Sequence, residues 1–197
     1  MPDRLRPLWD FDDLDASEVS FREQLERETT DEGRAEVLTQ LARVEGLRGR
    51  FEEGEKLIRE AEALAGSHAR IDLERGRLKR SSGDETSAFS LFVRAFESSD
   101  GFIAADAAHM VALVDPAGPE EWTRRGLELA QEDPDAAYWA GPLLNNLGWH
   151  YYDTRDFKRA LDAFERALEA RERDPANAKA IKLARDDVEQ ARCALER

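Results

Sequence analysis

The sequence predicts an all-α fold of repeated helical hairpins, and three observations carry that expectation. Ala, Leu, Glu and Arg dominate the 197 residues, a helix-forming mixture, and the 7 Pro sit where helices would begin or end. No segment shows the strict period-two alternation of a half-buried strand. Small residues stand twelve apart in pairs, Ala42 with Gly54, Gly76 with Ala88 and Gly148 with Ala160, and the first pair returns as the second after 34 residues. Two independent spacings therefore agree on one repeating unit.

The elements follow in order. Residues 10–30 hold a lone helix, DLDASEVSFREQLERE, with Phe21 as its large apolar residue. Residues 35–68 form the first full hairpin, with Leu38, Leu41 and Ala42 on one helix and Phe51, Gly54, Ile58 and Ala61 on the next. Residues 69–100 repeat it with Gly76, Ala88, Phe92 and Ala95. Residues 100–133 are degenerate: GFIAADAAHMVALV reads as a first helix and PEEWTRRGLELAQE as a second, with Pro119 expected at the first helical position. Either Ala107 or Ala108 takes the small position there. Residues 141–174 are the clearest unit, with Leu144, Leu147, Gly148 and Tyr151 followed by Phe157, Ala160, Phe164 and Ala167. Residues 176–196 close the chain with an amphipathic helix, apolar at Ile181, Ala184, Val188, Ala191 and Leu195, and its charged outer face suits a cap. Cys193 is expected as a small apolar side chain of that cap. All linkers are of turn length, so one continuous domain spanning 1–197 is expected, with about four helix pairs between a half repeat and a capping helix.

The spacing has a physical cause. Gly148 and Ala160 are small so that the two helices of a hairpin cross closely, and Tyr151, Phe157 and Phe164 fill the space around the crossing.

This pattern resembles the tetratricopeptide repeat (TPR), most closely over 141–174. It departs only at Pro175, which lies about a helical turn late and implies a long second helix. Taken whole, the chain resembles bacterial stand-alone TPR proteins. That resemblance implies a right-handed superhelix, an α-α solenoid, whose first helices line a concave groove for an extended peptide or partner segment. Carried across position by position, the groove residues are Arg43 in the first full repeat, Arg70, Arg77 and Arg80 in the second, and Asn145, Trp149 and Tyr152 in the clear repeat. His109 joins them in one register of the degenerate unit. The run Leu-Asn-Asn-Leu-Gly resembles kinesin light-chain-type repeats, where a groove asparagine holds the peptide backbone, and Asn145 matches that position. An amide donates and accepts at once, which suits a peptide bond. The arginines suit carboxylates. Their alternative reading is pairing with Glu36, Glu45, Asp72 and Glu74 as a solvated surface.

Composition excludes other classes. A net charge of −14, from 43 acidic and 29 basic residues, disfavours nucleic acid and anionic membranes. No stretch approaches the ~20 apolar residues of a membrane span. A single cysteine and an acidic, leaderless start point to the cytoplasm. The three histidines form no metal-ligating or catalytic motif, so no enzyme activity, metal or cofactor is expected. Asp106 and His109, three apart on one helix, are at most a polar pair. The expected function is a protein-interaction scaffold. The alternatives are a peptide- or metabolite-sensing regulator, for which 197 residues leave no output domain, and homo-oligomeric assembly.

Overall fold

The computed structural model describes residues 3–173 and 177–196. Among them are ten α-helices and two 3-10 turns, and no strand. The helices are α1 (Leu14–Arg27), α2 (Asp31–Leu47), α3 (Phe51–Ala65), α4 (Ala69–Ser81), α5 (Glu85–Glu97), α6 (Gly101–Ala112), α7 (Glu120–Glu132), α8 (Ala140–Asp153), α9 (Phe157–Glu172) and α10 (Ala178–Leu195). They fall into two compact units, one up to Ala107 and one from Ala108 onward, with the division inside α6.

Short polar side chains set the helix starts. Asp13 accepts from the backbone N–H groups of Asp15 and Ala16, and Thr30 accepts from Gly33. Asp84, Asp156 and Asn177 cap α5, α9 and α10 in the same way, each satisfying a donor that the helix leaves unpaired. The α2–α3 turn uses Gly49 at φ 75°, and the Arg50 N–H closes back on the Glu45 carbonyl at 2.9 Å. Gly46 itself remains inside α2.

In the first unit α2 packs on α3 and α4, and α4 packs on α5. The core gathers Phe21, Leu38, Ile58 and Ile71, with Ala42 and Gly54 buried at the α2–α3 crossing. A Cβ added at Gly54 would lie 3.1 Å from the Ala42 carbonyl oxygen, which is why that position carries no side chain. One repeat later, a Cβ at Gly76 would lie 2.5 Å from the Phe92 ring. In the second unit α8 packs on α9 and α9 on α10, and a Cβ at Gly148 would again lie 2.5 Å from the Phe164 ring. The same steric rule therefore recurs in both units. Gly126 of α7 faces Leu143, with the Ala108 methyl 3.3 Å from the position of an added Cβ. Ala107 and Ala108 are both fully buried.

Helix α9 is the longest second helix at 16 residues, as the late proline implies, although Asp174 and Pro175 lie outside the described residues. Three details differ from expectation. Pro119 takes the N-cap of α7 rather than its first position, because the turn Asp115–Gly118 delivers the chain one residue later. Leu195 is exposed, unlike Ala184, Val188 and Ala191 of the same helix. Cys193 is exposed as well, lying away from the face that buries Ala191 and Val188. Among the described residues no helix is long and apolar enough to cross a membrane.

Candidate functional site

In the first unit the neighbouring first helices α2 and α4 share a charged face. Arg77 of α4 donates to Glu74 at 2.6 Å and to Asp106 of α6. Arg43 of α2 approaches the same Glu74 carboxylate at 3.9 Å. Gln40 donates to it at 3.5 Å. Only 11% of the Arg77 side chain and 2% of that of Glu74 remain exposed, so this network is screened from water. Burial works against the Arg77 guanidinium, but the charges of Asp106 and Glu74 outweigh it and hold its pKa above the ordinary value. Burial and the nearby Arg77 charge pull Arg43 the other way, below its ordinary value. Arg80, a turn beyond Arg77, is exposed.

A short segment, Asp3–Phe11, lies against this face. Asp3 accepts from Arg70 at 3.0 Å. Arg4 reaches Glu36 at 2.7 Å and Glu28 at 2.5 Å. Leu5 is buried among the core residues, and the Trp9 indole N–H donates to Gln40 at 3.0 Å. The Arg43 guanidinium sits 5.2 Å from the Trp9 ring centroid and 5.5 Å from that of Phe11, within cation–π range. Burial pushes the Asp3 carboxyl up, yet the hydrogen bond and charge of Arg70, with the Leu5 N–H, leave it below the usual carboxylate value.

The second unit presents the remaining residues. Asn145, Trp149 and Tyr152 share one side of α8, being four and three residues apart. Asn145 donates to Asp187 of α10 at 2.7 Å and accepts from Arg171 of α9 at 3.5 Å. Trp149 is half-buried, edge-on to Phe164 at 5.2 Å and to Tyr152 at 5.4 Å. It also walls an open cavity of about 390 Å³ with Asn146, His150, Asp153 and Asp115. His109 is held by Asn146 at 3.1 Å, with its ring 5.1 Å from that of Trp139. A second cavity of about 420 Å³ opens beside α7 and α9, walled by Leu127, Ala130, Tyr138, Leu144 and Ala170.

The expected residues thus divide between the units: Arg43, Arg77 and Arg80 in the first, His109, Asn145, Trp149 and Tyr152 in the second. Of the acids named as their alternative partners, Glu74 does hold Arg77, while Glu36 holds Arg4, Glu45 holds Arg48 and Asp72 holds Arg94. Asp106 serves Arg77, and the described bond of His109 goes to Asn146. Sequence reasoning missed Asp3, Leu5 and Trp9, whose contacts reach up to 67 residues along the chain. The apolar spacing Leu5, Leu8, Trp9 was the available signal. No group of three or more His, Cys, Asp or Glu among the described residues is placed to hold a metal ion.

Comparison with known proteins bears on the fold. Residues 141–174 match the family model described as tetratricopeptide repeat. No curated protein matches the sequence. Among solved structures, the crystal structure of MamA superposes with a TM-score of 0.50 at 16% identity, covering 89% of this chain and 99% of that one. At that identity the likeness speaks for the fold alone.

Proposed function

From the premise of a tetratricopeptide-repeat protein with an all-α solenoid fold, we propose a non-catalytic protein-interaction scaffold that binds an extended partner segment on its first-helix faces. The observation that carries this reading is α8, the first helix of the matched repeat. It turns an amide and two aromatic rings, Asn145, Trp149 and Tyr152, to one side and leaves a cavity of about 390 Å³ next to Trp149. That combination offers a backbone clamp and a flat, partly apolar wall. Asn145 exchanges its bonds to Asp187 and Arg171 for those of the peptide, at little net cost when donors and acceptors are matched. His109 borders the same part of the unit through Asn146. In the first unit the contact residues are Arg43, Arg77 and Arg80. Arg77 is already neutralised, so its role is to shape the face, and exposed Arg80 supplies the free charge for an acidic partner. Cytoplasmic residence and the absence of a required cofactor belong to this reading.

Selection from a displayed random-peptide library, followed by titration of the enriched peptides, tests it. Asn145→Ala should weaken every selected peptide alike, because it removes a contact to backbone. Arg80→Glu should penalise acidic peptides in particular, and that penalty should shrink with salt. Unchanged affinity in both variants would move the binding surface elsewhere, and the cavity beside α7 and α9 is the specific alternative.

A further inference from the structure

We propose that the segment Asp3–Phe11 is a built-in, displaceable ligand of the α2–α4 face, and that this face takes in its place a partner segment carrying a carboxylate, a leucine and an indole in that order. The inference deepens the scaffold reading and rests on it. The two fail separately, because the variants that test Asn145 lie in the second unit.

The register of the contacts comes first. Arg4 bonds the Gly33 carbonyl and Glu36, Trp9 bonds Gln40, and Arg43 lies over the Trp9 and Phe11 rings. Residues 33, 36, 40 and 43 form a single stripe along α2, spaced three and four apart. The segment therefore runs lengthwise along one first helix, while Asp3 reaches across to Arg70 on the neighbouring first helix. Two of the residues it touches, Arg43 and Arg70, are among those expected from sequence to face an extended ligand.

The chemistry of the surface beneath it comes second. A segment that served only to close the core would rest on apolar side chains. Leu5, Leu8 and Trp9 do pack on the core cluster, but the rest of this contact is polar: Arg70, Glu36, Gln40 and Arg43, with the buried Glu74–Arg77–Asp106 network beside it. One oxygen of Glu74 is buried and makes no hydrogen bond. A buried charge network is weak support for stability, and here it fixes the charges that a segment on this face must match. The grip is also modest. Leu5 is the one buried apolar side chain of the segment, Arg4 stays largely exposed, and Phe11 is 51% exposed while stacking on Trp9 at 4.7 Å. Such a mixture of apolar anchors, Leu5 and the Trp9 ring edge-on to Phe21 at 5.0 Å, with one indole hydrogen bond and ion pairs at Asp3 and Arg4, is that of a protein–protein interface.

A fluorescein-labelled peptide covering residues 1–11 is the probe, read by anisotropy against the full chain and its variants. The full-length Asp3→Asn/Trp9→Ala chain weakens the internal ligand while keeping Leu5. It should bind the probe at least about tenfold more tightly than the unaltered chain, and Arg70→Ala added to it should reverse the gain. A second arm inserts a protease site between Phe11 and Asp12, cuts the folded chain and removes the released segment by dilution. The remaining chain should keep its helical circular dichroism and bind the probe, and a probe carrying Trp9→Ala should bind at least about tenfold more weakly. The proposal is overturned if the double variant binds the probe no better than the unaltered chain, whether or not the cut chain stays folded. It is equally overturned if the segment exchanges between two copies to give a stable dimer.

Discussion

Replacing Gly148 by alanine tests the close crossing on which the repeat depends. The added methyl carbon would stand 2.5 Å from both Cδ1 and Cε1 of Phe164 and 3.0 Å from its Cγ. Carbon atoms in contact prefer about 3.5–4.0 Å, so the ring must retreat by about 1 Å. Phe164 has no exposed surface and is held edge-on by Trp149 at 5.2 Å, so it has nowhere to swing. Overpacking of this kind costs about 1–3 kcal/mol, and the better helix propensity of alanine returns at most about 1. The net expectation is a loss of about 1–2 kcal/mol for Gly148→Ala and about 3 for Gly148→Leu, where the longer side chain cannot be absorbed. At about 4–8 °C per kcal/mol for a unit of 60–100 residues, thermal melting followed by circular dichroism resolves both. Gly141→Ala on the same helix is the control. Its methyl would meet Cγ of Arg171 at 2.9 Å rather than a fully buried ring, so the loss should be smaller than at Gly148. A Gly148→Ala protein that melts at or above the unaltered temperature would refute the crossing.

The remaining expectations are as follows. Arg77→Ala leaves Glu74 and Asp106 buried without their cation and should cost about 3–5 kcal/mol, read by urea unfolding. Because Arg70 holds the Asp3 carboxyl below the ordinary carboxylate value, the stability it contributes is present above that ordinary value and is lost as pH falls through the depressed one. A urea series below about pH 4 should therefore show a steeper loss for the unaltered chain than for Asp3→Asn, and equal slopes would refute the linkage. Asn145→Ala should leave melting within about 1 kcal/mol while lowering affinity for selected peptides, and a loss of stability without loss of binding would make Asn145 a purely structural partner of Asp187. Elemental analysis of the purified chain should find no transition metal in stoichiometric amount.

The hairpins were legible because their determinants are local and steric. Gly54, Gly76 and Gly148 each sit where a Cβ would strike a neighbour, and that requirement shows directly as a spacing of twelve and a period of 34. The caps are equally local, since Asp13, Asp84 and Asp156 act on residues two or three ahead. The degenerate unit was harder to read. Helix α6 buries Ala104, Ala105, Ala107, Ala108 and Val111 nearly all round, so no single stripe marks its register. The site was legible only as a set of candidate positions. Pairing such as Arg77 with Asp106, or Asp3 with Arg70, joins charges 29 and 67 residues apart, and a sequence with 43 acids and 29 bases offers every arginine many equivalent partners. Spacing selects the face that an arginine occupies. It does not select the carboxylate that it meets.

The most direct test of the scaffold account is hydrogen–deuterium exchange of the full chain with and without a saturating library-selected peptide. Binding on first-helix faces predicts slowed exchange within α2, α4 or α8, with α3, α5, α7 and α9 unchanged. Protection confined to α7 and α9, beside the 420 Å³ cavity, would contradict it, as would no protection at a peptide concentration that saturates binding.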